Sequence, residues 1–400
     1  MKKLLYITQA TPYSTRETFI LHEIIEMKKY FDIYILPRSP RKNIFHNEAK
    51  ELVTKCFYGK LFAFKYLLYI LYQFIINPQI IKIIVDFLIK SNSLKNIIKN
   101  LLVLSKSVFF IKKIGDFNFY HIHAHWGTTP STMAWIISKL TGISWSFTVH
   151  RGDIEVNNML KAKVEGAKFC RCISNLGKYN VLERTDNSNE KKINVIYMGV
   201  NLPKSAEIIK KKNFQHEKFV FASVGTFKKE KGHKYLLEAI SILKDKYPSK
   251  FELWLIGSGD LKSSFIKYTS KLKLYDYVKF LGRMKINDIF ELYETQKVHC
   301  VILSSIIEGI PVSLMEAMSR KVPIIATNVG AVSELINNGE NGYLVESKNP
   351  LELAKAMEKI MNDKDIQINF EKNGYITIDK RFNIEKNIFL LKNAIEDQII

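Results

Sequence analysis

Cysteine is scarce in this chain: four residues in 400, Cys56, Cys170, Cys172 and Cys300, none in a C-x-x-C spacing. That argues against a structural zinc site and a secreted disulfide scaffold, and predicts free thiols in a reducing compartment. Long apolar runs are missing too. The apolar stretch 66–81 has 16 residues without a charged side chain and includes Gln73, Asn77 and Pro78, short of the roughly 18–20 apolar residues of a spanning helix. The opening apolar run ends at Ile7, before Thr8 and Gln9; it is too short for a signal-peptide core and suits a first buried strand. The expectation is a cytoplasmic protein, soluble or peripheral on the inner face of the plasma membrane.

Acidic residues are also few, 39 against 60 Lys and Arg, for a net charge of +21. Residues 1–200 hold 29 basic and 14 acidic side chains, net +15; residues 201–400 hold 31 and 25, net +6. A basic field of this kind attracts phospholipid surfaces, nucleic acids or pyrophosphate-bearing substrates. No RNP-type aromatic motif, helix-turn-helix pattern or zinc finger is present, so nucleic acid is not expected as a partner. There is no fixed-period repeat and no low-complexity tract. A hydrophobic share of 47% and a charged share of 25% describe a globular chain long enough for two domains.

Short β-like runs alternate with helical patterns nearly throughout. In the first half, 4–7, 33–36, 119–122, 144–149, 169–173 and 193–196 read as strands, and 17–30 and 128–140 as helices. The pattern breaks at Met198-Gly199-Val200-Asn201-Leu202-Pro203, and a lysine-rich polar stretch, 204–218, reads as a linker. It restarts with strands at 219–224, 251–256, 278–281, 300–303 and 323–326 and helices at 232–243, 261–272, 311–319 and 350–361. Such alternation predicts an α/β chain of two Rossmann-like, doubly wound parallel-sheet domains. The boundaries are 1–202, 203–380, and a C-terminal helix, 381–400, packing back on the first domain. Two such domains offer a ligand-binding cleft at the carboxyl ends of their strands.

Residues 56–115 stand apart. They are rich in Ile, Leu, Phe and Tyr, with nine lysines and one acid, Asp86. Their amphipathic helical pattern suits either a helical subdomain packed on the first sheet or a basic, apolar membrane-docking surface.

The segment Ser304-Ser305-Ile306-Ile307-Glu308-Gly309-Ile310-Pro311-Val312-Ser313-Leu314-Met315-Glu316 carries the strongest chemical signal. A buried strand ends at Leu303, a loop follows, and Pro311 sits where a helix starts. Free backbone N–H groups at that start suit a pyrophosphate. Glu308 precedes the helix and Glu316 lies within it, so two carboxylates flank the anion site and can accept hydrogen bonds from sugar and ribose hydroxyls. A second constellation, Gly225-Thr226-Phe227-Lys228-Lys229-Glu230-Lys231-Gly232, runs from a strand through a cationic loop into a helix. Gly257-Ser258-Gly259-Asp260 and Gly282-Arg283-Met284 follow later strands.

These segments resemble the E-x7-E motif and its companions in the large retaining glycosyltransferase family numbered four, of the GT-B fold. Ile324 to Ile336 and Asn341-Gly342-Tyr343-Leu344-Val345 fit the same family. The resemblance implies Glu308 on the transferred sugar, Glu316 on the nucleotide ribose, and backbone of Gly309, Ile310, Pro311 and Val312 lining sugar and phosphate. It implies Lys231 on the diphosphate, with Gly257 near it and Arg283 and Met284 near the base. Thr226 stands where the family has arginine. A hydroxyl there supplies no charge, and Lys228, Lys229 or Arg283 are the candidates to compensate.

In the first half, the resemblance makes His150, at a strand end, a catalytic candidate beside the transferred sugar. Ser14 to Glu23 resembles the start of polysaccharide-assembling members, with Glu17 and Thr18 either touching acceptor or phosphate or capping a helix. His121, His123 and His125 share one strand face; the resembled family uses no catalytic metal, so packing and cleft-lining are expected rather than zinc. The reading implied is a retaining hexosyltransferase taking a nucleotide-diphosphate sugar as substrate, without metal or cofactor. Its acceptor would be a glycan or glycolipid in surface polysaccharide, lipopolysaccharide or capsule assembly, at an anionic membrane surface. Alternatives are a nucleotide-sugar epimerase of the same shape and a non-catalytic partner of a transferase.

Overall fold

The computed structural model describes the chain apart from residues 15, 16, 45, 188, 204–217 and 398–400. The expected linker therefore lies almost wholly outside the described residues. The chain divides into two compact units, 1–198 with 385–400, and 199–384. The divisions fall four residues from the expected 202/203 and 380/381 boundaries.

In the first unit the order is β1 (Lys3–Thr8), α1 (Thr18–Met27), β2 (Asp32–Pro37), α2 (Phe64–Ile76), α3 (Gln79–Lys90) and α4 (Leu94–Gly115). Then come β3 (His121–His125), α5 (Thr129–Thr141), β4 (Trp145–Val149), α6 (Arg151–Val156), α7 (Leu160–Gly166), β5 (Cys170–Cys172), α8 (Asn175–Arg184) and β6 (Ile193–Val195). The six strands form one parallel sheet, β2-β1-β3-β4-β5-β6. Strands β3, β4 and β5 are buried at every residue, because helices cover both faces of a parallel sheet. β3 begins two residues later than the sequence pattern predicts, since Phe119 packs against Tyr34 ahead of the strand.

The second unit holds β7 (Phe219–Val224), α9 (His233–Lys246), β8 (Phe251–Ile256), α10 (Lys262–Lys271), β9 (Val278–Gly282) and α11 (Ile286–Glu294). It continues with β10 (Cys300–Leu303), α12 (Val312–Met318), β11 (Ile324–Thr327), β12 (Tyr343–Val345), α13 (Pro350–Asn362) and α14 (Lys364–Arg381). Its parallel sheet runs β12-β11-β10-β7-β8-β9. The last helix, α15 (Ile384–Glu396), is tied within the first unit by Lys2–Glu396 (2.9 Å), Lys29–Glu385 (3.1 Å) and Lys168 Nζ to the Ile395 carbonyl (2.6 Å).

Helices α2–α4 are both packed and exposed. Tyr66, Ile70, Ile83, Phe87 and Val103 join the core of the first unit. The opposite side leaves Phe64 (74%), Ile75 (85%) and Ile89 (73%) in water, with Leu68, Leu71 and Leu88 each more than half exposed. Among the described residues no single helix is long and apolar enough to cross a membrane, and α2 and α3 meet at a 107° bend.

Candidate active site

In the second sheet, strand order reverses between β7 and β10, the place where open parallel sheets bind ligands at the carboxyl ends of their strands. The loops leaving these strands are fused there by glycines. Gly232, with φ +63°, sits so close to the Ser304 carbonyl that a Cβ would lie 1.9 Å from its oxygen. Gly330, at φ +58°, is as close to the Glu308 carbonyl. Gly257 approaches the Gly225 carbonyl in the same way, and its amide donates to the Gly282 carbonyl at 2.7 Å. The Ile306 amide donates to the Glu230 carbonyl (2.7 Å), and Ser304 Oγ to the Lys231 carbonyl (3.1 Å).

This frame brings Lys231 onto Glu308. The ammonium pairs with Glu308 Oε1, which also accepts from Ser305 Oγ at 2.7 Å. Glu308 is mostly enclosed, with 12% of its side chain exposed. Pro311 is the extended residue ahead of α12 (φ −80°, ψ 111°), not its first helical residue as expected, and α12 has seven residues. Ile310 and Pro311 are buried, while Gly309 and Val312 are partly open. Glu316 lies in α12 beside Tyr293 and Arg320. Burial pushes its carboxyl up to about 7, with Arg320 pulling the other way. Neither glutamate points into bulk water. Thr226 and Arg283 are exposed and Met284 half-exposed on the loops after β7 and β9, next to the Gly257 turn.

The other predicted residues lie in the first unit. Its sheet order reverses between β1 and β3, and the loops there carry a buried polar network. His150, just after β4, contacts His125 (Nε2 to Nε2, 2.8 Å). His125 Nδ1 meets Glu23 Oε1 at 3.0 Å, and Arg171 Nη1 donates to Glu23 Oε2 at 2.6 Å. Burial raises Glu23, but Arg171, His125 and Tyr6 together hold it well below the usual carboxylate range. Burial drives the His150 imidazole well down.

Thr18 opens α1, but Glu17 does not cap it. The Glu17 carboxylate turns back on the loop after β1. Its Oε2 accepts from the Ala10 amide (3.0 Å), the Thr11 amide (2.8 Å) and Thr11 Oγ1 (2.9 Å), and its Oε1 from Trp126 Nε1 (2.7 Å). Those bonds make Glu17 a brace for the loop after β1: it stands at the start of α1, but its side chain does not cap the helix. His121 and His123 share Ser146 Oγ at 2.8 Å each, and His123 also reaches Thr148 Oγ1 at 3.0 Å. Among the described residues no three metal-type side chains converge.

Residues 204–377 match the model of glycosyl transferases group 1. That match lies within the second unit. An uncharacterised glycosyltransferase of Haemophilus influenzae is 32% identical over 167 residues, 42% of this chain and 46% of that protein. The UDP-Gal:alpha-D-GlcNAc-diphosphoundecaprenol alpha-1,3-galactosyltransferase of Escherichia coli is 28% identical over 218 residues, 52% of this chain and 55% of that one. The chain thus spans about half the length of these curated relatives. The Anabaena protein Alr3699/HepE, solved in complex with UDP, superposes with a TM-score of 0.73 at 16% identity, covering 99% of this chain and all of that one. The two units each have the parallel α/β fold of a GT-B domain.

The sequence does not announce that Glu23, Arg171 and Trp126 join His125, His150 and Glu17 in this network. The usable signal was charge in core positions: Glu23 falls in the apolar stripe Ile20, Leu21, Ile24, Met27, and Arg171 sits between two buried cysteines.

Proposed function

We propose that the protein is a retaining glycosyltransferase of family four that moves a hexose-type sugar from a nucleotide diphosphate to a lipid-linked glycan in surface polysaccharide assembly. The observation that carries this reading is the meeting of Lys231 and Glu308 at the reversal point of the second sheet. The C1–O bond to the leaving phosphate breaks as negative charge builds on the diphosphate, and a cation fixed beside it lowers that barrier. In this reading Glu308, held by Ser305 and Lys231, takes sugar hydroxyls, and Glu316 the ribose. The UDP-galactose donor of the Escherichia coli relative and the UDP of Alr3699/HepE favour a uridine nucleotide. No side chain here is committed as a covalent nucleophile, in keeping with retention by same-face attack. No metal takes part in this scheme.

The acceptor side of the reading rests on the first unit. Its net charge and the exposed apolar side of α2 and α3 fit an anionic membrane surface, where a lipid-linked glycan resides. A thermal-shift panel of UDP-, GDP- and dTDP-sugars tests the donor. A true donor raises the melting temperature by mass action, and Lys231→Ala abolishes that rise. No shift with any nucleotide sugar, or isomerised donor released without acceptor, overturns the reading. An inverted anomeric product by NMR overturns retention.

A further inference from the structure

We infer that Glu23 and His125 are positioning residues that hold His150 in a single neutral tautomer, with its proton on Nε2 and Nδ1 an acceptor only. The effect on sugar transfer rests on the glycosyl-transfer reading above; the tautomer does not.

The argument is a proton count along a buried chain. Glu23, on α1, is 1% exposed, and Arg171, on β5, and His125, on β3, are wholly buried. The Glu23 carboxylate only accepts. Its Oε2 takes Arg171 Nη1, and its Oε1 takes the Tyr6 hydroxyl and faces His125 Nδ1. His125 therefore carries a proton on Nδ1. Arg171 already balances Glu23, and it is fixed there by the carbonyls of Ile196 and Tyr197, both at 2.9 Å. A second proton on His125 would leave a net positive charge in a dry interior, which is costly. His125 Nε2 is then a bare acceptor. At 2.8 Å from His150 Nε2, two bare lone pairs would repel, so one proton lies between them, and it belongs to His150. A neutral His150 with its proton on Nε2 has none on Nδ1.

The ring has little freedom to escape this state. It packs on Trp126 at 4.5 Å between centroids and on Phe19 at 5.7 Å, and Trp126 is itself held by Glu17. The His150 amide donates to Asp153 Oδ2 at 2.9 Å, which fixes the backbone at the start of α6. The neighbouring His123 is held in a separate ladder by Ser146 and Thr148, so Glu23 speaks to His150 through His125.

Nitrogen-15 NMR of the full chain, histidine-labelled and free of nucleotide, reads the tautomer directly. The expected result is a His150 that stays neutral from pH 6 to 8, with Nδ1 unprotonated. A proton on Nδ1, or an imidazolium in that range, overturns the inference in the wild-type protein alone, whether or not any variant folds. In Glu23→Gln, the preference should relax towards a mixture of tautomers, and kcat/KM for sugar transfer should fall on the order of 100-fold while UDP affinity stays near wild type. An unchanged His150 spectrum in folded Glu23→Gln also refutes it. If the tautomer is as stated but no nucleotide sugar is turned over, the proposed function fails and this inference stands.

Discussion

Replacing Gly232 by alanine tests whether the fused loops hold the reacting groups in place. At φ +63° an L-residue costs about 1–2 kcal/mol. The new Cβ would also lie 1.9 Å from the Ser304 carbonyl oxygen, where real contacts are not found under 3.0 Å. The loops after β7 and β10 must therefore part by about 1 Å, the scale of misplacement that costs ~100-fold in rate. Gly339 is the matched control in the same unit: its φ is +81°, and a Cβ there meets nothing within 4 Å. Gly339→Ala should lose only the backbone cost, about 1–2 kcal/mol, with sugar transfer near wild type. Gly232→Ala should lose about 3–4 kcal/mol, the overpacking adding to the backbone cost, and about 100-fold in kcat/KM. Urea unfolding and a UDP-hexose transfer assay read the two quantities. Equal losses of stability and rate in the two variants would show that the glycine contact positions nothing.

Glu316 should make stability fall as pH rises. Its carboxyl has a pKa of about 7 in the fold against 4.5 ordinarily, so between those values the unfolded chain releases the proton first and the fold loses on the order of 3 kcal/mol. Glu316→Gln should flatten that fall in urea unfolding at pH 5 and 8; the same slope in both proteins would refute the assignment. Thr226→Arg restores a cation to an exposed loop position and should tighten UDP binding about 10-fold by calorimetry; unchanged or weaker affinity would place position 226 away from the diphosphate. Ile75→Ser with Ile89→Ser, both on the exposed side of α2 and α3, should reduce co-sedimentation with anionic liposomes at low salt without lowering the melting temperature. Liposomes that fail to retain even the unmodified protein would remove the membrane from the reading.

Much of this molecule can be read from its residues because parallel sheets under two helical layers leave continuous apolar runs, and each predicted strand is present within three residues. In the second unit Glu308, Lys231 and Gly232 stood out because they follow strand ends, but the pairing of Lys231 with Glu308 appears only in the fold. Helices α6 and α7 escaped because segments of 6 and 7 residues carry too little period to register; α12, equally short, was marked by Pro311 and its two acids instead, and the longer α14 escaped as well. The polar interior of the first unit escaped for another reason. Glu17 looks like a helix-opening acid, and only the fold shows its carboxylate turned to Trp126. The partnership of Glu23 with Arg171 joins positions 148 apart, which no local pattern encodes.

That partnership also constrains how the sequence can change over generations. Removing one member of a buried ion pair strands the other charge at a cost of about 3–5 kcal/mol, a large share of a typical domain's stability. Stepwise drift through either single substitution is therefore closed to a chain that must stay folded. Codons 23 and 171 should be inherited as a unit across descendants of this protein, replaced together or kept together.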